Sequence, residues 1–293
     1  MRTDNIFDKY AKQILIVPSL VILIILIMYP TVYLLRMSFS SYDLTSGNPP
    51  AFNRIDNLNI LIKDKYFWQS MINTILISIS AVMVEFILGL SLALIVSGIK
   101  KSIFFKTIFI ISMMIPPIVI GLNFKLIYDQ FGPLNGIFKM LGFSEVGWLT
   151  SPGMARISII MADVWQWTPF MFIIILAGLQ SVPDEYYDTA KVDGVGGIKM
   201  FLFVTWPMIL PSITLAVALR FIEALKLFDI ILMITFGGPS GATETLSLYI
   251  YRTAFRFGDL GYASFMAFTM LILLSIVITL FLRFVGLRKR LEW

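Results

Sequence analysis

Long apolar runs separated by shorter polar stretches dominate this chain, and their lengths set its class. Runs able to cross a hydrocarbon core fall near Ile14–Leu35, Ile72–Val96, Ile103–Phe124, Ile157–Leu179, Ile209–Phe236 and Tyr262–Leu282. Each predicts a membrane-spanning helix, six in all. Pro116-Pro117 predicts a kink within the third, with the freed carbonyls satisfied by neighbouring helices. The polar stretch 182–207, between the fourth and fifth runs, has a helix pattern of its own. Ser181 can cap a helix, Pro183 suits its first turn, and Asp184 stands at the capping-box spacing. Asp184 and Glu185 favour the positive end of the helix dipole, and Gly194 is a ready stop just past the C-terminus. The pattern predicts a short helix over Asp184–Asp193.

Composition agrees with the spans. The 293 residues are 58% hydrophobic and only 14% charged, with mean hydropathy +0.86, too apolar for a soluble domain of this length. Lys and Arg are densest at the two ends and in the loops after the second and fourth runs. That density places both termini and the 182–207 loop in the cytoplasm, and Arg283, Arg288, Lys289 and Arg290 reinforce it. Arg2, Lys9 and Lys12 precede an apolar run with no small-residue cleavage site, so a retained span is expected rather than a signal peptide. The net charge of +5 is accounted for by membrane anchoring and does not call for nucleic acid. The expected division is a tail, first helix and first external loop over 1–69, a core of helices two to six over 70–286, and a basic cytoplasmic tail over 287–293. The loop from Tyr128 to Pro152, with its several Gly and Pro, is expected on the outer side.

The chain has no Cys and no His, which removes disulfides, thiol catalysis and the common zinc constellations. Gly194-Val-Gly-Gly-Ile-Lys199 is glycine-rich but lacks the phosphate-loop order and follows a helix rather than a strand. No catalytic or metal-binding residue and no bound cofactor are expected, and ATP, if used, belongs to another chain. Ionisable groups at bilayer depth are costly and usually face protein or water. Glu85 falls near the middle of the second helix and Asp163 in the outer half of the fourth. Arg220, Glu223 and Lys226 follow at i, i+3 and i+6 on the fifth, close enough to pair with one another. They read either as buried ion pairs fixing helix register or as contacts to a hydroxyl-rich or charged solute. In 182–207, Asp184, Glu185, Asp188 and Asp193 outnumber Lys191 and Lys199. That acidic excess suits a protein partner better than a connector lying on anionic lipid.

The 182–207 segment resembles the EAA loop of ABC-importer permeases. The spacing is met by Asp188, Thr189, Ala190, Gly194, Val204, Trp206 and Pro207, with Asp for the usual Glu, Thr for the first Ala and Trp for Leu. Further fragments are similar to sugar-type permeases. They are Tyr29-Pro-Thr-Val-Tyr33, Ser38-Phe39, Asn57-Leu58, Phe67-Trp68, Asn73-Thr74 and Gly132-Pro-Leu-Asn-Gly136. Trp165-Gln-Trp-Thr-Pro169-Phe170, Gly237-Gly-Pro239, Thr245-Leu-Ser-Leu-Tyr-Ile-Tyr251 and Ala254-Phe255 complete the series. The relatives import maltodextrins, other oligosaccharides and glycerol-3-phosphate, and the chain looks like the member of the permease pair with the longer N-terminal helix.

The resemblance implies an all-α integral membrane protein with the six-helix fold of a type I ABC importer permease, in a prokaryotic plasma or inner membrane. It implies a second homologous permease, two cytoplasmic ABC ATPases carrying ATP and Mg, an extracellular or periplasmic solute-binding protein, and a sugar-like solute. ATPase coupling would fall to Asp184, Glu185, Tyr186, Tyr187, Asp188, Thr189, Ala190, Asp193 and Gly194. Solute contacts would fall on Gln166, Trp167 and Phe170 around the proline of the fourth helix. On the fifth they would fall on Arg220, Glu223, Ala224 and Leu227, whose i, i+3, i+4, i+7 spacing shares one face. Arg220 and Glu223 depart from the maltose-type pattern, so the identity of the solute does not carry over. The competing readings are an ABC permease for amino acids or metals, an ion-coupled carrier using Glu85, Asp163 or Glu223, and a non-transporting scaffold. The Gly-Gly-Pro and Tyr-Ile-Tyr regions favour sugars.

Overall fold

A computed structural model describes residues 6–99 and 102–285. Arg2 and the basic tail expected over 287–293 lie outside the described residues. Helix α1 (Ile6–Ser38) leads into two short strands, β1 (Ser40–Ser41) and β2 (Ala51–Phe52), which pair antiparallel with Ser40 opposite Phe52. Next come α2 (Asp56–Lys63), α3 (Lys65–Ser97), α4 (Ser102–Met114), α5 (Pro117–Ile127), α6 (Pro133–Met140) and α7 (Pro152–Gln180). The polar stretch forms α8 (Asp184–Val192) and α9 (Gly197–Met200), and a π-helical turn over Phe201–Thr205 joins α9 to α10 (Trp206–Ala224). The chain ends its described course with α11 (Asp229–Ile234), α12 (Leu246–Phe255) and α13 (Leu260–Val285).

Among the described residues five helices are long and apolar enough to span a membrane, and α4 with α5 makes a sixth if taken as one span. That pair corrects the expected kink to a break, bent by 94°. Consecutive prolines explain it. Neither has an N–H for the helical ladder, and Pro117 pushes Pro116 out of the helical region to φ −55, ψ 137. The fifth span is also corrected. It runs over Gly197–Ala224 rather than 209–236, and α11 is a separate helix. The N–H groups of Lys226 and Leu227 bond back three residues, to Glu223 and Ala224 at 3.1 Å each. That tight turn ends the helix inside an apolar run whose hydropathy alone gives no sign of a stop.

The chain divides into two compact units, Met1–Asp64 with Ile250–Leu271, and Lys65–Tyr249 with Ile272–Trp293. In the first, Asn57 anchors the strand region, donating from Nδ2 to the carbonyls of Ser38 at 2.7 Å and Ser40 at 3.2 Å. Tyr262 Oη donates to Asp64 Oδ2 at 2.6 Å. In the second, α3, α7 and α10 enclose a core that includes Val82, Met171, Phe172, Ile175, Leu176 and Ile209. The helices approach closely because small residues lie between them. A Cβ on Gly89 of α3 would stand 2.6 Å from that of Met171 on α7, and one on Gly178 of α7 would stand 2.7 Å from that of Ser212 on α10.

Two buried asparagines tie loops to this second unit. Asn73 donates to the carbonyls of Gly241 at 2.9 Å and Glu244 at 3.1 Å, and accepts from Arg156 Nη2 at 3.3 Å. Asn135 donates to the carbonyls of Gln130 and Val146 and accepts from Trp148 Nε1. These bonds satisfy backbone carbonyls, a guanidinium and an indole N–H that would otherwise be costly to bury.

Candidate functional site

The break between α4 and α5, one face of α7 and the C-terminal end of α10 surround a cavity of about 160 Å³. Asp163, Gln166 and Trp167 line it from α7, Arg220 and Glu223 from α10, and Leu227 from the turn that follows. Five of the seven residues expected to meet solute therefore converge: Gln166, Trp167, Arg220, Glu223 and Leu227. Two do not. Phe170 stands behind Trp167, ring centres 6.2 Å apart and edge to face, and so braces the indole. Ala224 is buried in the α3–α7–α10 core, 1% exposed. The single helical face drawn through all four fifth-helix residues fails because α10 ends at Ala224, before Leu227. Asp163 is the lining residue that the spacing rule could have added, since it precedes Gln166 and Trp167 by three and four positions on the same helix.

Among the described residues Arg220 is the largest side chain buried almost completely, at 2% exposure, and both carboxylates beside it are at 0%. Its Nη2 donates to Glu85 Oε1 at 2.9 Å and to Asp163 Oδ2, and its Nε lies 2.8 Å from Glu85 Oε2. The guanidinium carbon also sits 5.1 Å from the centre of the Trp167 ring. One side chain from α10 therefore holds α3 and α7 together at bilayer depth. This corrects the mutual pairing of Arg220, Glu223 and Lys226 along the fifth helix. Arg220 turns to the other helices, while Glu223 takes Lys226 at 2.8 Å on a face half open to the surroundings. Gln166 donates from Nε2 to the carbonyl of Ile115 at 3.2 Å, satisfying a group released by the proline break. Around this ion pair Asp163 Oδ1, Glu85 Oε2 and Gln166 Oε1, and the donor Arg220 Nε, are buried without a hydrogen-bond partner.

At the base of α10, α8 forms over the nine residues Asp184–Val192, close to the expected extent. Its start differs from the capping-box reading. Pro183 is the N-cap residue and no side chain caps the helix, because Ser181 instead donates to the carbonyl of Gly178 and closes α7. Its end is as expected. Gly194 has φ +73, its N–H bonds the Lys191 carbonyl at 3.0 Å, and the Val195 N–H bonds the Ala190 carbonyl at 2.8 Å. Ala190 and Tyr187 form the inner face, with the Tyr187 hydroxyl accepting from Thr205 Oγ1 in the π-helical turn at 3.4 Å. Asp184, Glu185, Tyr186, Asp188, Thr189 and Asp193 are exposed. Lys191 donates to Asp188 at 2.9 Å, and that bond holds the ammonium's pKa above its ordinary value. The helix thus presents a mainly acidic outer surface on an anchored inner one.

Residues 85–291 match the family described as the binding-protein-dependent transport system inner membrane component. The chain belongs to that family. It is 35% identical over 280 residues to the sulfoquinovosyl glycerol transport system permease protein SmoG of Agrobacterium fabrum, covering 95% of this chain and 91% of that one. It is also 35% identical over 266 residues to the trehalose/maltose transport system permease protein MalF of Thermococcus litoralis, covering 89% and 90%. The crystal structure of a bacterial ABC transporter involved in the import of the acidic polysaccharide alginate contains a chain of the same fold. The two match with a TM-score of 0.82 over 98% of each, at 19% identity. This inner-membrane component is a multi-pass permease with an ABC-importer fold, and the long run from α7 through α8 to α10 lies wholly within the matched region.

Proposed function

We propose that this permease forms half of the translocation pathway of an ATP-driven importer for a sugar, an oligosaccharide or a related derivative. The observation that carries the solute class is its relationship, over nine-tenths of both chains, to permeases named for sugars and sugar conjugates. The polar cavity among apolar helices supports the same reading, because an indole face beside a few buried polar groups suits a molecule with CH faces and hydroxyl edges. A second permease would complete the pathway and a binding protein outside the membrane would deliver the solute. Both termini and α8 would lie on the cytoplasmic side, facing two ATPase subunits that carry the ATP and Mg. Coupling would rest on the acidic outer face of α8, held at Ala190 and Tyr187 and ended by Gly194.

The chemistry required of this chain is mechanical. An ATPase that binds α8 differently in its open and closed states shifts the pathway between its two states by that difference in affinity. The ion-coupled carrier reading loses support because Glu85 and Asp163 are both tied to Arg220. The test is uptake of labelled saccharides into proteoliposomes holding the permease with its partner permease, ATPases and binding protein. Uptake should require ATP inside and the binding protein outside. Accumulation driven by an ion gradient without ATP would refute the reading.

A further inference from the structure

At the far end of α1 the chain changes from apolar to charged at a single residue. No Asp, Glu, Lys or Arg occurs from Gln13 to Leu35, and Arg36 is the first charge to follow. As a helix the run Ile14–Leu35 is about 33 Å long, against a hydrocarbon core of about 30 Å, so Arg36 stands at the level of the lipid phosphates. Tyr29 and Tyr33, one turn apart and both exposed, mark the approach to that level. No residue in the most apolar stretch of α1 is buried against the rest of the described chain.

Beside Arg36 lies a cavity of about 440 Å³, walled mainly by Val32, Leu35, Phe39, Pro50 and Phe52. Its walls are fixed by neighbours. Phe39 meets Phe265 edge to face at 6.2 Å, its carbonyl accepts from the Asn53 N–H at 3.0 Å, and Phe52 pairs with Ser40 across the two strands. The Arg36 carbonyl accepts from Ser40 Oγ at 2.9 Å. Among the described residues, however, its guanidinium has no partner and the cavity has no carboxylate. Apolar walls with one unmatched cation complement an anion that carries a hydrocarbon tail.

We infer that this cavity is a site for one anionic phospholipid, its phosphate on Arg36 and an acyl chain along Val32 and Leu35. The guanidinium fork donates two hydrogen bonds to one phosphate, where an ammonium acts only as a point charge. A soluble phosphate would satisfy the guanidinium alone. A lipid also covers Leu35 and Phe52, which are 39% and 77% exposed. Arg54, two residues after Phe52, is exposed and adds positive charge next to the strand pair. The inference needs only that α1 spans the membrane and does not depend on which solute the permease carries.

The test is native mass spectrometry of the assembled, delipidated importer, titrated in detergent with phosphatidylglycerol or with phosphatidylcholine of the same acyl chains. The tightest phosphatidylglycerol step should be about five- to tenfold tighter than that of phosphatidylcholine. Arg36→Gln should weaken it about tenfold, and Arg36→Lys less, because the charge survives without the fork. Val32→Trp fills the cavity, leaves the charge, and should weaken the same step. Lys125→Gln is the control: it removes an exposed cation in the last turn of α5, outside the cavity, and should leave the step unchanged. Elution of each variant complex at the wild-type volume is the check that it is assembled. Equal losses in Arg36→Gln and Lys125→Gln would overturn the site, since only overall charge would then matter. So would an Arg36→Gln complex that binds as the wild type does. Displacement of the bound lipid by millimolar inorganic phosphate would assign the cavity to a soluble anion and overturn the lipid. Absence of any phosphatidylglycerol-selective step in the intact importer would show that another subunit covers the cavity, and would also overturn it.

Discussion

Replacing Arg220 by Met tests whether the α3–α7–α10 junction is held as the structure has it. The substitution keeps most of the side-chain volume but removes the one cation, among the described residues, bonded to two carboxylates that are both fully buried. Removing one partner of a buried pair generally costs about 3–5 kcal/mol, because the charge left behind stays uncompensated. Here two carboxylates lose their partner, so the upper end, about 5 kcal/mol, is expected. For a chain of this size each kcal/mol moves a thermal midpoint by about 2–4 °C, so the apparent midpoint should fall by about 10 °C or more.

The assay is the fraction of purified complex that remains monodisperse after heating at one fixed rate, since unfolding of such assemblies is irreversible. The sign of the effect depends on charge rather than packing, and a compensated variant separates the two. Glu85→Gln, Asp163→Asn and Arg220→Met together leave no ion, and should recover most of the lost midpoint. Arg220→Lys should fall between, because one ammonium cannot reproduce the two-sided reach of the guanidinium. An Arg220→Met midpoint within about 2 °C of wild type would refute the reasoning, as would a triple variant no better than the single.

Gly194→Val should lower ATPase stimulation and uptake while the complex still assembles, because a β-branched residue at φ +73 costs about 1–2 kcal/mol and opens the end of α8. Gly194→Asn, whose side chain tolerates that conformation, should retain most activity; equal loss in both would show that the backbone is not the cause. Gly89→Ala should lower the thermal midpoint by the equivalent of about 1–3 kcal/mol, since its Cβ would meet Met171 Cβ at 2.6 Å and the Phe172 backbone at 3.0 Å. Gly136→Ala, with open space around its Cβ, is the control, and matching midpoints would show that α3 and α7 are not in tight contact.

Spans were legible wherever hydropathy changes sharply at both ends, as at α3 and α7. They were misjudged where backbone rather than side chains ends a helix, because a turn after Ala224 and a double-proline break both sit inside apolar sequence. The Asn-bearing fragments are a different lesson. Asn73-Thr74 and Gly237-Gly-Pro239 read as separate signatures, yet Asn73 bonds Gly241 and Glu244, and Thr74 Oγ1 accepts from the Leu246 N–H at 2.9 Å. Asn73-Thr74 and the segment that follows Gly237-Gly-Pro239 are thus two sides of one junction, joined across about 170 residues by hydrogen bonds that no local pattern encodes. The cavity fared better because its residues recur at helical spacing. The partners of Arg220 were not legible, since pairing between helices depends on a register that spacing within one helix cannot supply.

The geometry joining α8 to the cavity bears on how a stroke at one could reach the other. Tyr187 of α8 and Trp206 at the start of α10 both pack against the same core as Met171, Phe172 and Ile209. From Trp206 the helix rises to Arg220 over about 21 Å, at 1.5 Å per residue. A close-packed core of this kind resists continuous deformation and moves between discrete arrangements. Movement of α8 would therefore displace α10 against α3 and α7 together rather than bend it locally. Arg220 is the point where that displacement meets directional bonds, because one guanidinium holds a carboxylate on each neighbouring helix. A shift of α10 that loosened either bond would leave a buried carboxylate unpaired beside the cavity, at a cost. In that arrangement a solute in the cavity and an ATPase at α8, as proposed above, would act on one rigid element, which is the physical condition for each to bias the other.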